Sequence, residues 1–405
     1  MIDLVKQEHE SRAASIKVIG VGGGGGNTIN SIIESGYEGI EFVAANTDAQ
    51  ALNLSKASAC LQIGIKSTKG LGTGANPELG KRSAEEDMDK ILEAVGDADI
   101  VFLTAGLGGG TGSGALPVIA HALREKGTLC IAVVTKPFMF EGKRRAKVAE
   151  GALEELKKQV DTLIVIPNQK LLSIVDKHVS MIDAFSMIND VLGQSVKGIS
   201  DIITKPGHIN VDFADVRAIM KDGGLAIMGT GKAGGENRAQ EAALNAVSSP
   251  LLENMDIEGA HGLLLNITGG PSLGLHEISQ AAEVIYDQAE EDANIIIGSV
   301  IDESMDEEVS VTVIATGFHE RKNVEQAKKI EEQIFASVEP KPTAHVKCDL
   351  SPEQKATEWQ AKESSSDQAP VQDQKNEIRQ ETSLLDINAL DIPAFMRQQQ
   401  KEKEE

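Results

Sequence analysis

The sequence predicts an α/β protein in which a parallel-sheet domain is joined by a long helix to a smaller α/β domain. Apolar runs of strand length alternate with helix-length segments through the first part of the chain. A helical stretch at 181–204 then leads to a second group of such runs. Sustained apolar blocks end after Phe318, so we expect the second globular unit to end there.

The first domain is expected to contain a parallel sheet with both faces covered. Its predicted strands are 16–22, 41–46, 99–104, 128–135 and 161–166. Its predicted helices are 77–95, 115–126, 143–158 and one that follows the first glycine run and carries Ile29, Ile32 and Ile33. Strands that are apolar throughout and alternate with helices are typical of such a sheet, because both of its faces are buried.

The segment 181–204 is predicted to form one long helix. Ser180 and Asp183 have the spacing of a capping box, and Pro206 with Gly207 ends the helical pattern. The positions that follow helical spacing are Ile182, Phe185, Asn189, Leu192, Val196, Ile199 and Ile203. At 1.5 Å per residue the helix would be about 35 Å long, which is roughly the width of a domain.

The second domain is predicted to be a smaller α/β unit. Its strands are expected at 224–229, 261–268, 293–300 and 308–316, and its helices at 234–247 and 275–290. Residues 319–383 are rich in Glu, Lys, Gln and Ser, which is typical of a disordered linker. The predicted organisation is a flexible N-terminus (1–14), the first domain (15–180), the long helix (181–206), the second domain (207–318), the linker (319–383) and a tail peptide (384–405).

Composition argues against several classes of protein. The chain has 405 residues and a formal net charge of −23, which disfavours direct binding to nucleic acid or to an anionic membrane. Its three cysteines, Cys60, Cys130 and Cys348, are far apart and predict neither a disulfide framework nor a zinc site, so a reducing cytosol is expected. The N-terminus is too polar for a signal peptide, and no apolar run approaches the length of a membrane span.

The loop GLGGGTGSG, from Gly106 to Gly114, predicts a phosphate site. It lies between a predicted strand and a predicted helix, where backbone N–H groups and the helix dipole favour an anion. A tight strand–helix turn would need only one or two glycines, whereas this loop has six in nine residues. The loop lacks the lysine of a Walker motif, so backbone dipoles and a metal would have to meet the phosphate charge.

A second glycine run, GVGGGGGN from Gly20 to Asn27, leaves two interpretations open. Gly20, Gly22 and Gly25 satisfy G-x-G-x-x-G after a strand, the pattern of a nicotinamide-dinucleotide site. The acidic residue expected at the end of the next strand is replaced by Asn46, with Asp48 two residues later. A third loop, Gly70–Pro77, favours a polyphosphate held from several sides.

Five separated motifs together resemble the FtsZ family of tubulin-like GTPases. GGGTGSG (108–114) is similar to the family's GTP-binding signature, and the first glycine run is similar to its first phosphate loop. The other three segments that carry the resemblance are TKPFMFEGKRR (135–145), NVDFADV (210–216) and DIPAFMR (391–397). The resemblance covers 12–318 continuously and then the tail peptide, and it implies the tubulin-like fold.

The resemblance implies a GTP site with Mg2+ bound alongside the nucleotide. The residues that would cradle the phosphates are Gly23, Gly24, Gly25, Gly26, Asn27, Gly108, Gly109, Gly110, Thr111, Gly112 and Ser113. Glu141 and Arg145 would hold the ribose, although their spacing of four also suits an ordinary helical ion pair. Asn189 would recognise guanine, because an amide can pair with the edge of the base, and no metal ligand is assigned to a protein side chain.

The resemblance also implies that Asn210, Asp212 and Asp215 complete a GTPase site across a subunit junction. Asp212 and Asp215 are three residues apart, so at a helix start they share a face, although acidic residues are common there in any case. If Asn189 contacts the base, the long helix carries these residues to the far end of the subunit. They could then act only on the nucleotide of a head-to-tail neighbour, in a contact that generates a filament.

The apolar segment 384–400 after the linker is either a non-specific sticky end or a peptide that folds onto partners. The resemblance favours binding of membrane adaptors such as FtsA or ZipA through Asp391, Ile392, Pro393, Phe395 and Met396. The resemblance therefore implies a cytoplasmic GTPase that forms the division ring at midcell under the inner membrane. The alternatives are a nicotinamide-dependent oxidoreductase and a nucleotide-binding scaffold without hydrolysis.

Overall fold

A computed structural model describes residues 14–318 except 38, 172–178, 206, 208, 210, 250–251, 253–258 and 291. The predicted catalytic residue Asn210 lies outside the described residues. Residues 1–13 of the predicted flexible N-terminus (1–14), the linker and the tail lie outside them as well, including the predicted partner-binding residues Asp391, Ile392, Pro393, Phe395 and Met396. None of the described helices combines the length and the apolar character that crossing a bilayer requires.

Ten strands form one sheet in the described part of the chain. In chain order they are β1 (Ile16–Val21), β2 (Glu41–Asn46), β3 (Ala59–Gln62), β4 (Ile100–Gly106), β5 (Leu129–Lys136), β6 (Thr162–Pro167), β7 (Gly224–Gly234), β8 (Gly262–Gly269), β9 (Asn294–Ile301) and β10 (Glu308–Thr316). Their order across the sheet is β3-β2-β1-β4-β5-β6-β7-β10-β8-β9. The strands from β3 to β7 are parallel, and β10 is antiparallel to both β7 and β8.

Helices connect most of these strands. They are α1 (Gly22–Glu34), α2 (Ala49–Asn53), α3 (Ile65–Thr68), α4 (Pro77–Glu86), α5 (Met88–Val95), α6 (Thr111–Glu125), α7 (Lys143–Leu156), α8 (Asn168–Leu171), α9 (Met181–Thr204), α10 (Phe213–Met220), α11 (Arg238–Val247) and α12 (Leu275–Tyr286). The predicted fold class is confirmed: a mostly parallel sheet, a long helix and a smaller α/β unit. The sheet is continuous between the two units, because β6 pairs with β7.

The central strands are buried on both faces, as their uninterrupted apolar sequences predict. In β4, Phe102 belongs to a core shared with α1 and α9, whereas its neighbours Val101 and Leu103 belong to a core on the other face, shared with α6 and α7. Successive side chains of a strand point to opposite faces, so one strand contributes to both cores.

The long helix is observed where it is predicted. Ser180 caps α9, because its Oγ accepts a hydrogen bond from the N–H of Asp183 at 3.1 Å. Leu192, Val196 and Ile199 are buried, as expected from their spacing. The assignment of Ile182 to the apolar stripe is wrong in one respect: its side chain is 81% exposed, because the first turn of α9 extends beyond the core.

Several elements differ from the sequence-based expectation. The predicted helix 77–95 is two helices that meet at Asp87, whose buried carboxylate accepts a hydrogen bond from the N–H of Gly64 at 2.7 Å. The short edge strand β3 and the helices α2 and α3 are not predicted. α6 begins at Thr111 instead of residue 115, so the end of the second glycine loop is already helical.

Candidate functional site

A cavity of about 350 Å3 opens at the carboxyl ends of β1, β4 and β5. Parallel α/β sheets bind ligands at this edge, because the loops after neighbouring strands converge there. The cavity is lined by Val21, Gly22, Gly23, Gly24, Asn27, Thr28, Thr73, Gly106, Leu107, Gly109, Gly110, Thr111, Gly112, Thr135, Pro137, Glu141, Arg145, Asn168, Phe185, Ile188, Asn189 and Leu192.

The first glycine run forms the start of α1, and its glycines have different tasks. Gly23, Gly24 and Asn27 line the cavity. Gly25 lies beneath the helix, where an added Cβ would stand 2.5 Å from the carbonyl oxygen of Thr104. Gly26 lines a smaller adjacent pocket instead. Glycine therefore serves close helix–strand packing as well as access to the cavity.

The residues of the second glycine loop also fall into two groups, those that line the cavity and those that support the loop. Gly109, Gly110, Thr111 and Gly112 line the cavity, whereas Gly108 and Ser113 do not belong to its lining. The Oγ of Ser113 accepts a hydrogen bond from the N–H of Gly108 at 2.9 Å, which braces the loop. Both residues are predicted phosphate ligands, and here they support the loop that surrounds the cavity.

Three threonine hydroxyls connect the glycine loops. The Oγ1 of buried Thr111 lies 2.7 Å from that of Thr47 and 3.3 Å from that of Thr73. Thr47 follows β2, and Thr73 belongs to the third glycine-rich loop, which the sequence predicted to join the site. The hydroxyls therefore hold loops from three parts of the sheet edge beside the same cavity.

Two helix N-termini face this cavity. The first residues of α1 (Gly22 and Gly23) and of α6 (Thr111 and Gly112) belong to its lining. N–H groups in the first turn of a helix have no intrahelical acceptor, and the helix dipole places partial positive charge there. This side of the cavity is therefore suited to an anion such as a polyphosphate.

The opposite wall is apolar and carries two amides. Phe185, Ile188 and Leu192 come from α9, and Asn189 lies between them. The Oδ1 of Asn189 is 3.2 Å from the Oγ1 of Thr28 on α1. Asn168, at the end of β6, is 4% exposed, and its Oδ1 has no hydrogen-bond partner within the described structure. An apolar wall with an unsatisfied acceptor suits a planar polar ring.

Glu141 and Arg145 form an ion pair at the edge of the cavity. Glu141 also accepts a hydrogen bond from the N–H of Phe138 at 3.0 Å through Oε1. The Phe138 ring meets that of Phe185 edge to face, with centroids 5.5 Å apart. The pair is thereby fixed to the same aromatic cluster that lines the apolar wall.

The carboxylates of Asp212 and Asp215 lie elsewhere. Asp212 caps α10, and its Oδ1 accepts a hydrogen bond from the N–H of Asp215 at 2.8 Å. Both side chains are exposed, and neither belongs to the cavity lining. α10 contacts Gly127, just before β5 begins, whereas Thr135, near the other end of β5, lines the cavity. Eight residues of strand separate these positions by about 25 Å.

Several of the lining residues have no role that the sequence predicted. Asn168 and Thr135 belong to the sheet edge, at or just beyond the ends of β6 and β5, a position that could have identified them. Thr28 and Phe185 gave no separate signal, because they sit in helical patterns that also suit an ordinary core. In the part of the chain that the structure describes, no group of three or more His, Cys, Asp or Glu side chains could hold a metal ion.

Two family models match this chain. Residues 15–176 match the GTPase domain of the Tubulin/FtsZ family, and residues 224–319 match the C-terminal domain of the FtsZ family. The first match includes the G-x-G-x-x-G segment and decides for GTP over the nicotinamide alternative.

Solved structures agree with both matches. An FtsZ dimer from M. jannaschii is 46% identical, with a TM-score of 0.74 over 77% of this chain and 90% of that one. GDP-bound CetZ1 from Haloferax volcanii is 26% identical, with a TM-score of 0.66 over 79% of this chain and 99% of that one. A GTPγS-bound CetZ2 protofilament from the same organism shares the fold, with 23% identity and a TM-score of 0.64 over 80% of this chain and 99% of that one. The chain belongs to the FtsZ family of tubulin-like GTPases.

Proposed function

We propose that the protein assembles with GTP into head-to-tail filaments that form the bacterial division ring and hydrolyse GTP at their subunit junctions. The main support for this proposal is the distance between the cavity and the carboxylates of Asp212 and Asp215, which would each supply half of a GTPase site. A nucleotide cavity lies at one end of the parallel sheet, and two exposed carboxylates lie at the other. Only a second subunit could bring such halves together.

The lining of the cavity supports one orientation of GTP. The phosphates would lie against the starts of α1 and α6, where N–H groups and helix dipoles favour anions. The base would lie against Phe185 and Ile188, with Asn168 and Asn189 offering amide groups to its edge. Glu141 and Arg145 would then contact the ribose between them.

A Mg2+ ion bound with GTP fits this donor set. Magnesium prefers oxygen ligands and is commonly held by phosphates, water and one or two protein oxygens. The Thr73 and Thr111 side chains line the cavity beside the proposed phosphate position, and the buried Thr47 hydroxyl hydrogen bonds to that of Thr111. When bound there, the ion would neutralise charge that develops on the phosphates, while the chain itself supplies backbone N–H groups and hydroxyls.

An exposed apolar rim beside the cavity supports a second subunit as the partner. Large apolar side chains are 66% to 83% exposed on the segments around the cavity: Leu71, Met139, Phe140, Met181 and Ile182. Such a concentration of exposed apolar groups marks an interaction surface. A contact between this rim and the α10 end of another subunit joins two different surfaces and therefore propagates into a filament. The FtsZ relative from M. jannaschii was solved as a dimer, which agrees with self-association.

At such a junction Asp212 and Asp215 would reach the neighbour's GTP. Their carboxylates would orient and polarise the attacking water, while backbone dipoles stabilise the charge on the transferred phosphoryl group. Asn210 would contribute an amide beside them. Hydrolysis would then require assembly, since no subunit contains a complete site.

The proposal is tested by light scattering and phosphate release recorded together. GTP, but not GDP, should raise scattering, and phosphate release per subunit should increase with protein concentration above a threshold. A rate per subunit that does not depend on protein concentration would contradict the shared site. Scattering without phosphate release would identify a non-hydrolysing scaffold instead.

We further propose that the tail peptide attaches filaments to membrane adaptors such as FtsA or ZipA, at midcell under the inner membrane. The supporting feature is its sequence: Ile392, Phe395 and Met396 are apolar, and Pro393 and Asp391 suit the start of a short helix. A peptide that orders on binding has modest affinity, roughly micromolar, and many tails on one filament would strengthen attachment.

Deleting 384–405 should therefore leave GTP-driven assembly and turnover intact but abolish cosedimentation with adaptor-coated vesicles. Phe395→Ala provides a point variant that should weaken attachment without shortening the chain. Failure of the truncated protein to assemble, or full retention on the vesicles, would refute this division of tasks.

A further inference from the structure

The C-terminal half of α10 is firmly attached to the rest of the molecule. Val216 and Met220 are fully buried in the core shared with α9. Two backbone carbonyls at the end of the helix accept side-chain hydrogen bonds: Met220 from the Oγ1 of Thr162 at 2.5 Å, and Ile219 from the Oγ1 of Thr316 at 3.2 Å. These contacts fix the end of α10 that lies away from the proposed catalytic carboxylates.

The first turn, which carries Asp212 and Asp215, is held differently. Both acidic side chains are exposed, and Phe213 between them is half-buried. Arg217, one turn later, places its guanidinium over the Phe213 ring, 5.9 Å from the ring centroid. Its Nη2 donates a hydrogen bond to the carbonyl oxygen of Gly127 at 3.2 Å.

Gly127 is a fixed anchor for this contact. It follows α6 and has a φ of 82°, in the left-handed region that glycine adopts readily. Its N–H donates to the carbonyl of Arg124 at 3.0 Å, so the turn is closed onto the end of α6. The Arg217 side chain therefore links the Phe213 ring, in the first turn of α10, to the turn that follows α6 in the nucleotide-binding unit.

We infer that Arg217 is a positioning residue for hydrolysis at the subunit junction. Arg217 holds the Phe213 side chain in place. Because Phe213 lies between Asp212 and Asp215 in the sequence, this contact sets the direction in which the two carboxylates project toward a neighbour. This inference rests on the proposed function, because it assumes that those carboxylates act on the neighbour's nucleotide. Misplacement of a catalytic group by about 1 Å can cost up to 100-fold in rate.

A neighbouring ion pair, Arg124 with Asp222, lies beyond the end of α10 and does not contact its first turn, so it provides a control for Arg217. Arg124 pairs with Asp222 at 2.7 Å and donates to the carbonyl of Lys158 at 3.0 Å. Asp222 lies in the turn after α10, beyond the Thr162 and Thr316 hydrogen bonds. Loss of this pair should leave the first turn of α10 in place.

The test compares Arg217→Ala, Arg217→Lys and Asp222→Asn in full-length protein. Arg217→Ala should bind GTP and sediment as polymer like the wild type, with kcat per polymerised subunit lowered about 10-fold. Arg217→Lys keeps a cationic donor for the Gly127 carbonyl and should recover most of that loss. Asp222→Asn should retain the wild-type kcat. Wild-type kcat in Arg217→Ala polymer would overturn the inference.

A double-mutant comparison separates positioning from general destabilisation. In an Asp212→Asn/Asp215→Ala background, adding Arg217→Ala should lower kcat no further, because both carboxylates that it positions are already absent. An independent further decrease would show that Arg217 acts otherwise and would overturn the inference. If Asp215→Ala itself retains full turnover, the proposed function fails, whatever Arg217 does.

If Arg217→Ala does not polymerise, hydrogen exchange in unassembled subunits still tests whether Arg217 holds the first turn of α10. The amides of Asp215 and Val216, which donate to the Oδ1 and to the carbonyl oxygen of Asp212, should exchange faster in Arg217→Ala than in the wild type, while those of β5 remain unchanged. Unchanged exchange at these two amides would overturn the inference. Faster exchange throughout the domain would do the same, because the residue would then be a general stabiliser.

Discussion

Asp215→Ala should reduce GTP turnover by a factor on the order of 100 to 10,000 while leaving GTP binding by isolated subunits unchanged. The carboxylate lies in the first turn of α10 and is exposed, whereas the cavity opens at the far edge of the sheet. If the site is shared between subunits as proposed, removing this carboxylate takes a group from the neighbour's site and none from the subunit's own. Steady-state phosphate release and equilibrium GTP titration measure the two effects separately.

The control for this prediction is Asp89→Ala, which removes an exposed carboxylate from the first turn of α5. Both substitutions remove the same favourable interaction with a helix dipole, about 0.3–1 kcal/mol. Only Asp215→Ala should lose turnover, and both variants should sediment with GTP. Loss of GTP affinity in isolated Asp215→Ala subunits would place this residue in its own subunit's pocket and contradict the account.

Alanine substitutions in the second glycine loop should weaken GTP binding in two distinguishable ways. At Gly110 the new Cβ would stand 2.2 Å from the Oγ1 of Thr73 and 2.6 Å from the backbone N of Asn76, so the third loop must shift. At Gly109 it would meet no protein atom within 4 Å. We expect both variants to lose about 1–3 kcal/mol of binding free energy, or about 5- to 150-fold in affinity.

Thermal unfolding distinguishes the two. Gly110→Ala should also lower Tm, because overpacking strains the native loops, whereas Gly109→Ala should unfold at the wild-type temperature. Gly151→Ala, an exposed site on α7 with open space around it, should lower neither GTP affinity nor Tm. A GTP titration of Gly109→Ala that overlays the wild type would exclude close approach of the nucleotide at this residue.

Features determined by local sequence were predictable. The Ser180 cap and the spacing of Leu192, Val196 and Ile199 specify α9 without reference to the rest of the fold. The uninterrupted apolar character of β4 required burial on both faces, and two cores are observed there. The glycine loops predicted an anion site, because so many glycines exceed what a turn requires.

Features determined by tertiary contacts were not predictable. Glycine is a poor helix former, so the start of α1 within five consecutive glycines contradicts propensity. Packing explains the glycine at position 25, because a Cβ there would stand 2.5 Å from the carbonyl oxygen of Thr104, too close for any other residue. The short strand β3 lies at the sheet edge and is half-exposed, so its sequence carries little strand signal.

The exposed apolar side chains at the rim of the cavity depart from the burial that their sequence pattern predicts. Ile182 continues the apolar spacing of α9, which predicts burial, yet its side chain is exposed. Met181 and Phe140 are likewise exposed nearby. In a filament these groups would be buried by the next subunit, so the apolar pattern would be satisfied by the assembly and not by the single chain.

The most direct test of the shared site mixes two variants that damage opposite ends of the subunit. Asp212→Asn removes the carboxylate but keeps a residue that caps α10 well, so the helix should persist. Gly109→Ala leaves the carboxylates intact, and GTP is supplied at a concentration that fills Asp212→Asn pockets but leaves Gly109→Ala pockets empty. Each variant alone should be nearly inactive.

In an equal mixture, the filled pocket of an Asp212→Asn subunit can meet the intact carboxylate end of a Gly109→Ala subunit, so complete junctions form between unlike subunits. We predict that phosphate release by the mixture clearly exceeds the sum of the rates of the two variants measured separately. A control mixture combines Asp212→Asn with Asp215→Ala, so every subunit lacks a carboxylate in the first turn of α10. Its phosphate release should not rise above that of the separate variants. If both variants cosediment and the first mixture shows only the sum of their separate rates, GTP is not hydrolysed at a site shared between subunits.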